Sequence, residues 1–322
     1  MKIGIYGYGN VGKGVDLAIK QNNDMELVGV FTKRDNVKSV TGAKVYKIDE
    51  LTNFTNDIDV LIICSGSATE LPVTTPELAK SFNVVDSFDT HAKILEHYKN
   101  VDKVAKENNH IAFISGGWDP GMFSLMRLYA SVILPNSNTY TFWGNGISQG
   151  HSDALRHIEG VKDARQYTVP IDEAVKKVED GLNPTLSQNE KHKRVCFVVL
   201  EEGADKNKIE NEIKNMPNYF LGFDVEINFI TQDELNKNHS GFPHAGLVAS
   251  TGSTGLSNEH KHMIEYKLKL DSNPEFTANI LVSFARAIYK MKNEGQVGCK
   301  TAFDIRPKDM SCLDYEEVLK ML

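Results

Sequence analysis

Ile3-Gly4-Ile5-Tyr6-Gly7-Tyr8-Gly9-Asn10-Val11-Gly12 opens the chain and decides its fold. Ile3 to Tyr6 reads as an apolar strand. Gly7-Tyr8-Gly9-Asn10-Val11-Gly12 matches G-x-G-x-x-G, and a helix candidate from Gly12 to Lys20 follows. With glycine near 7% of residues, three fixed glycines occur by chance in about one chain in ten of this length. The weight therefore lies in the placement, in the first strand-to-helix unit. The first glycine permits the tight turn, the second lets backbone approach a pyrophosphate, and the third packs helix against strand. The helix N-terminus then offers free N–H groups and partial positive charge to phosphates.

Working outward, Leu27–Phe31, Val60–Cys64, Val84–Asp86 and Ile111–Ser115 read as further strands, with a second helix candidate at Lys93–Asn108. Several of these runs are continuously apolar, as in parallel strands buried on both faces. The alternation predicts a Rossmann-type, doubly wound α/β domain. After Trp118 the strands become more polar and alternating: Thr139–Trp143, Arg165–Val169, Arg194–Leu200, Asp224–Ile230 and Met263–Leu270. That pattern suits an antiparallel sheet with one wet face. Helices are expected at Ile171–Glu179, Ile209–Met216 and Pro274–Lys292, and the Gly-rich Thr251-Gly252-Ser253-Thr254-Gly255 reads as a turn. The expected division is a dinucleotide-binding domain at 1–118, to which 296–322 returns, and an α+β substrate-binding and dimerisation domain at 119–295.

The chain has 322 residues, a net charge of −7 and 25% charged residues. Such a field disfavours a nucleic-acid partner. Cys64, Cys196, Cys299 and Cys312 form no C-x-x-C pair, so neither a zinc site nor a disulfide framework is expected, and free thiols suit a cytoplasmic setting. His151, His260 and His262 lack partners at ligand spacing, so no metal is expected. No apolar run reaches about 18 residues, so no membrane span is expected. The start of the chain reads directly as a strand, without a secretory pattern.

The end of the second strand tells which dinucleotide is expected. An NAD site usually carries an acidic residue about 20 residues past the glycines. Here Thr32-Lys33-Arg34 stands there, with two cations and no carboxylate. One unit-charge pair at about 4 Å is worth about 4 kcal/mol at an effective dielectric of 20. A 2′-phosphate would gain from both cations, so the cofactor expected is NADP. Cys64-Ser65-Gly66-Ser67 closes the Val60 strand and either borders the ribose and nicotinamide or forms a plain strand-to-helix turn.

Two acidic segments follow at strand ends, Val85-Asp86-Ser87-Phe88-Asp89-Thr90-His91 and Ser115-Gly116-Gly117-Trp118-Asp119-Pro120-Gly121-Met122. Carboxylates at this edge could attract an ammonium and move protons, or could simply cap helices and turns. With Gly7-Tyr8-Gly9-Asn10, Ser65-Gly66-Ser67-Ala68-Thr69, Thr141-Phe142-Trp143-Gly144 and Ser148-Gln149-Gly150-His151-Ser152-Asp153-Ala154-Leu155-Arg156, a family pattern emerges. His192-Lys193-Arg194, Met216-Pro217-Asn218-Tyr219-Phe220, Gly241-Phe242-Pro243-His244 and Leu270-Asp271-Ser272-Asn273-Pro274 continue it in order along nearly the whole chain. The sequence resembles the meso-diaminopimelate D-dehydrogenases.

The resemblance implies NADP-dependent oxidation of the D-centre of meso-2,6-diaminopimelate to L-2-amino-6-oxopimelate and ammonia, reversibly, by a homodimer. It implies that Asp89 and Asp119 lie near the substrate amine and that Trp118 and Trp143 wall the pocket. It further implies that Gln149 and Asp153 belong to a pocket loop, and that Thr168, Arg194, His244 and Asn273 hold the distal L-centre. Two basic residues follow the second strand in the family; Lys33 stands for the usual Arg, keeping charge but losing the planar fork. The charged Asn258-Glu259-His260-Lys261-His262 departs from the family and is expected in a loop.

The chemistry of the residues is compatible with those roles. An amine must be unprotonated to release hydride from its carbon, and a nearby carboxylate can accept that proton. Arg194 can grip a carboxylate through two parallel N–H bonds. From the residues alone, Arg194 also suits a solvated charge run, and Trp118 and Trp143 also suit the core. Two other functions remain open on the sequence: a broader D-amino-acid dehydrogenase, and a non-catalytic NADP-sensing protein.

Overall fold

The computed structural model describes residues 1–67, 69–217 and 219–322; Ala68 and Asn218, quoted above within two motifs, lie outside them. In chain order the strands are β1 (Lys2–Tyr6), β2 (Glu26–Thr32), β3 (Val45–Lys47), β4 (Val60–Ile63), β5 (Val84–Asp86), β6 (Ile111–Phe113), β7 (Asn138–Trp143), β8 (Gly146–Ile147), β9 (Val161–Pro170), β10 (His192–Leu200), β11 (Val225–Phe229), β12 (His244–Thr254), β13 (His260–Leu270) and β14 (Gly298–Lys300). The helices are α1 (Asn10–Lys20), α2 (Leu71–Leu78), α3 (Ile94–Glu107), α4 (Met122–Ile133), α5 (Gln149–Arg156), α6 (Asp172–Glu179), α7 (Gln188–Lys191), α8 (Lys206–Lys214), α9 (Gln232–Asn238), α10 (Asn273–Asn293) and α11 (Tyr315–Leu319). Two compact units result, Met1–Leu125 with Pro274–Leu322, and Met126–Asn273.

The first unit is built on a sheet ordered β14-β6-β5-β4-β1-β2-β3, with every neighbouring pair parallel. Ile3, Ile5, Val30, Phe31, Val60 to Ile63, Val84, Val85 and Ile111 to Phe113 are fully buried. Burial on both faces is why these strands read as unbroken apolar runs. Strand order reverses at β1, between β2 and β4, which is the switch point where α/β sheets hold ligands. In α1, Val15, Ala18 and Ile19 are buried at helical spacing, so one face docks inward.

The division of the chain differs from the sequence expectation at both boundaries. It falls after Leu125 and Asn273, not after Trp118 and Gly295. The physical reason is packing. Phe284 of α10 stacks on Phe113 of β6 at 4.1 Å, and Gly14 of α1 leaves room for Ala278 of α10. Arg286, 5% exposed, donates to Asp24, Asn22 and the Met310 carbonyl at 2.7–2.9 Å. The whole of α10 therefore belongs with the nucleotide-type sheet.

The second unit holds two sheets, ordered β11-β10-β9-β8 and β13-β12-β7. The first is mixed rather than antiparallel throughout, because β10 and β11 run parallel through the α8 crossover. Leu155, Ile158, Val161, Ala164, Cys196, Val198, Ile209, Ile213 and Phe220 form its core. The second sheet packs Tyr140, Phe142, Leu247 and Ala249 against Ala174 and Val178 of α6. Thr251 to Thr254 is not a turn but the end of β12, paired with β13 throughout and with β7 at Thr251. Likewise His260–His262 begins β13 and is not loop. Among the described residues no helix is long and apolar enough to cross a membrane.

Candidate active site

The glycine turn between β1 and α1 has the form the sequence demands. Gly7 has φ +87°, and a Cβ there would stand 2.9 Å from the Cys64 carbonyl oxygen. A Cβ on Gly12 would stand 2.4 Å from the Gly7 carbonyl oxygen, whereas one on Gly9 would meet nothing within 4 Å. The turn is closed at its ends and open in the middle. α1 begins at Asn10 with no side-chain cap and no acidic residue in its first turn. The N–H groups of Asn10, Val11 and Gly12 are thus suited to a diphosphate.

Other members of the expected cofactor set are placed differently from one another. Tyr8 is 2% exposed; its side chain turns inward, donating to Asp16 at 2.5 Å, so only its backbone belongs to the turn. Thr32 is buried, and its hydroxyl accepts the Arg34 N–H at 3.3 Å. The Arg34 guanidinium donates to the Tyr8 carbonyl. Lys33 is exposed and pairs with Glu70 at 3.2 Å, and Glu70 also accepts the Gly66 N–H at 2.9 Å. That N–H and then Lys33 hold the Glu70 carboxyl below its usual range. Ser65 Oγ is buried with no hydrogen-bond partner among the described residues. Burial pushes the Cys64 thiol up to about 12, so it stays protonated and unreactive.

The two acidic segments are joined through one buried residue. Asp86, 0% exposed, accepts from Phe88 N–H at 3.0 Å, Ser115 N–H at 2.9 Å and Thr75 Oγ1 at 2.8 Å, and faces His97 Nε2 at 2.7 Å. The Gly116 N–H donates to the Asp86 carbonyl at 2.8 Å. These bonds fix both loops at neighbouring strand ends. Asp89 projects from the first loop; its N–H donates to Ser67 Oγ at 2.9 Å, and that hydroxyl donates to its carboxylate. An expected cofactor residue and an expected catalytic residue are thereby in contact. Asp119 is half-buried in the second loop. Trp118 is 7% exposed and lies edge-on to Phe123 at 5.3 Å, so most of its ring is packing.

In the second unit, Thr168 and Arg194 face each other across β9 and β10, and Arg194 Nη1 donates to Thr168 Oγ1 at 2.6 Å. The guanidinium lies 4.2 Å over the Phe223 ring, and its Nε is buried without a partner. It has no carboxylate partner among the described residues, and burial lowers its pKa. Gly146 pairs with Thr168, and the His244 ring packs over Gly146. Burial lowers the His244 pKa. The Asn273 N–H donates to the Phe242 carbonyl at 2.9 Å, which keeps Asn273 near His244. Trp143 is held by His192: the rings stack at 5.5 Å, and the Trp143 N–H donates to His192 Nε2 at 2.8 Å. Gln149 and Asp153 are exposed on α5. Gln149 lines a cavity of about 240 Å³ with Ile147, Ser152, Arg156, Asp163, Arg165 and Phe242, and Asp153 pairs with Arg156 at 3.1 Å. No described contact joins either to Arg194.

Sequence reasoning missed Glu70, Asp86, Phe223 and His151 as members of these clusters. His151 Nδ1 bonds Ser148 Oγ at 2.7 Å, and burial, then the Arg194 charge, depresses its pKa to about 4. The signal for Asp86 was present as a carboxylate ending an apolar strand. Phe223 and Glu70 had none, because their roles come from contacts distant in sequence.

Residues 117–272 match the family model described as diaminopimelic acid dehydrogenase C-terminal domain. The meso-diaminopimelate D-dehydrogenase of Acetivibrio thermocellus is 55% identical over 100% of this chain and 97% of its own length. The structure of C. glutamicum DAP dehydrogenase in complex with DAP superposes with a TM-score of 0.92 at 41% identity, covering 99% of this chain and 98% of that one. An engineered D-amino acid dehydrogenase bound to NADP+ gives 0.88 at 39%, again covering 99% and 98%. With the glycine turn, the joined acidic loops and the Thr168–Arg194 pair already in place, this likeness over the full length settles the kinship: the chain belongs to the meso-diaminopimelate D-dehydrogenase family.

Proposed function

We propose that this chain oxidises the D-amino centre of meso-2,6-diaminopimelate with NADP, giving L-2-amino-6-oxopimelate and ammonia, and that it runs the reductive amination in reverse. The observation that carries the reading is that one family fold holds both an open glycine turn with cations beyond β2 and a half-buried arginine with no carboxylate partner among the described residues. When bound, NADP supplies the hydride acceptor. The chain's residues supply the rest. Gly7 to Gly12 and the first N–H groups of α1 hold the diphosphate, and Lys33 and Arg34 hold the 2′-phosphate.

Asp89 and Asp119 serve the reacting end of the substrate. One carboxylate accepts the ammonium proton, so the nitrogen lone pair can stabilise the iminium as the α-carbon loses hydride. A carboxylate then orients water for addition to the iminium carbon, and collapse of that adduct expels ammonia. Thr168, Arg194, His244 and Asn273 serve the far end. Arg194 takes the distal carboxylate, and His244, kept neutral by its burial, and Asn273 add hydrogen bonds. Leaving such groups unpaired penalises a substrate that lacks the second end.

The chain acts as a homodimer in the cytoplasm, by family analogy and by its free thiols. The test of the specificity is a side-by-side assay of meso-diaminopimelate and D-alanine. NADPH forms far faster with the diacid; equal turnover would make this a general D-amino-acid dehydrogenase. Tight NADP binding without NADPH formation from any D-amino acid would make it a sensor.

A further inference from the structure

From Lys33 to Lys44 no residue is buried. This stretch between β2 and β3 carries the two cations, yet none of its side chains belongs to the hydrophobic core described for this unit. What holds it is a hydrogen-bonded anchor. Asp16 on α1, 1% exposed, accepts from Tyr8 Oη at 2.5 Å, Ser39 Oγ at 2.6 Å and Thr41 Oγ1. Tyr8 Oη in turn accepts the Val40 N–H at 2.8 Å. Ser39 Oγ accepts the N–H groups of Thr41 at 3.2 Å and Ala43 at 3.0 Å. Nearer the cations, Arg34 donates to the Tyr8 carbonyl, and Asp35 pairs with Lys47.

We propose that Tyr8 and Asp16 are positioning residues that set the preference for NADP over NAD, by fastening the loop that bears Lys33 and Arg34 to the glycine turn. The proposal rests on the reading of Lys33 and Arg34 as the 2′-phosphate holders. The diphosphate sits on the turn itself, so its place does not depend on the loop. The 2′-phosphate gains only if the cations stand at a fixed offset from that turn. A loop with no buried residue, held by polar contacts, wanders when its main anchor is cut, and the affinity falls in proportion to the fraction of time it is in place. NAD has no group there and does not sense the loss. The phenol is well suited as the fastener, because burial and the Asp16 carboxylate raise its pKa and keep it a donor.

The test is steady-state kinetics with NADP and with NAD for four proteins: wild type, Tyr8→Phe, Lys33→Ala with Arg34→Ala, and the triple variant. Tyr8→Phe keeps the ring in the interior, and the freed Val40 N–H lies at an exposed residue, where water can replace the phenol. The expected result is a 5- to 20-fold fall in the NADP-to-NAD ratio of kcat/KM, carried by KM for NADP. The Lys33–Arg34 variant loses more of the ratio, and adding Tyr8→Phe to it lowers the ratio no further. If the Lys33–Arg34 variant keeps the ratio, the reading of the two cations is wrong. If it loses the ratio but Tyr8→Phe alone keeps it, or impairs both cofactors equally, the proposal is overturned. Ser39→Ala, which cuts the same anchor from the loop side, carries the comparison if Tyr8→Phe does not fold.

Discussion

Replacing Arg194 by Met should weaken the enzyme and leave the fold at least as stable. Among the described residues the guanidinium makes one hydrogen bond, to Thr168, and one ring contact, to Phe223, and its Nε is buried with no partner. A cation taken partly out of water without a counter-ion destabilises the protein that holds it, and exchange of buried charges for apolar side chains is often neutral or stabilising by about 1–4 kcal/mol. Thr168 Oγ1 loses its donor, which offsets about 1 kcal/mol. The net expectation is a gain of roughly 1 kcal/mol, or about 2 °C in Tm. Binding moves the other way. Truncating one partner of a desolvated charge pair costs about 2–5 kcal/mol. Arg194 is only half-buried, so about 2–4 kcal/mol is expected, equal to roughly a 30- to 1,000-fold rise in KM for meso-diaminopimelate. The assays are thermal melting without ligand, and NADPH formation across substrate concentration. An unchanged KM, or a Tm lower by several degrees, would make Arg194 a structural residue and remove its gripping role.

Three further outcomes are expected. Asp119→Asn removes the carboxylate proposed as a proton acceptor and should lower kcat by about 10²- to 10⁴-fold with little change in melting; a kcat close to that of wild type would assign the proton step elsewhere. Lys33→Glu with Arg34→Glu should raise KM for NADP far more than KM for NAD, and equal effects would take the 2′-phosphate away from both cations. His192, 2% exposed, must stay neutral to accept the Trp143 N–H, and burial lowers its pKa to about 4, below the unfolded value of 6.5. Its contribution is full above pH 6.5 and is lost as pH falls towards 4, about 3 kcal/mol in all. Urea melts of wild type and His192→Gln should therefore differ in their loss of stability across that range, and parallel losses would contradict the shift.

The β1–α1 turn was legible because backbone geometry and phosphate chemistry dictate its residues locally. The same holds for the buried parallel strands. What the sequence hid is tertiary. Tyr8 sits in the motif, yet its ring serves Asp16, and nothing local says which way an aromatic between two glycines turns. β12 read partly as a turn because Gly252, Ser253 and Thr254 have loop composition; cross-strand pairing with β13 overrides that propensity. α10 follows the strands of the second unit in order but packs on β6, which the Phe113–Phe284 contact reveals. Within the second unit, Thr168 and Arg194, which the family pattern groups, are hydrogen-bonded to each other, whereas Gln149 and Asp153 stand exposed on α5. Asp86 was quoted within an acidic motif, but the way it ties its own loop to that of Ser115 becomes visible only in three dimensions.

A decisive assay offers the meso, L,L and D,D isomers of diaminopimelate separately to the enzyme with NADP. The proposed function requires a D carbon at the reacting end and an L centre at Arg194, so NADPH should form rapidly with meso alone. Little should form with D,D, and none with L,L. Comparable rates with meso and D,D would contradict recognition of the far end, and any sustained turnover of L,L would contradict the assignment of the reacting centre.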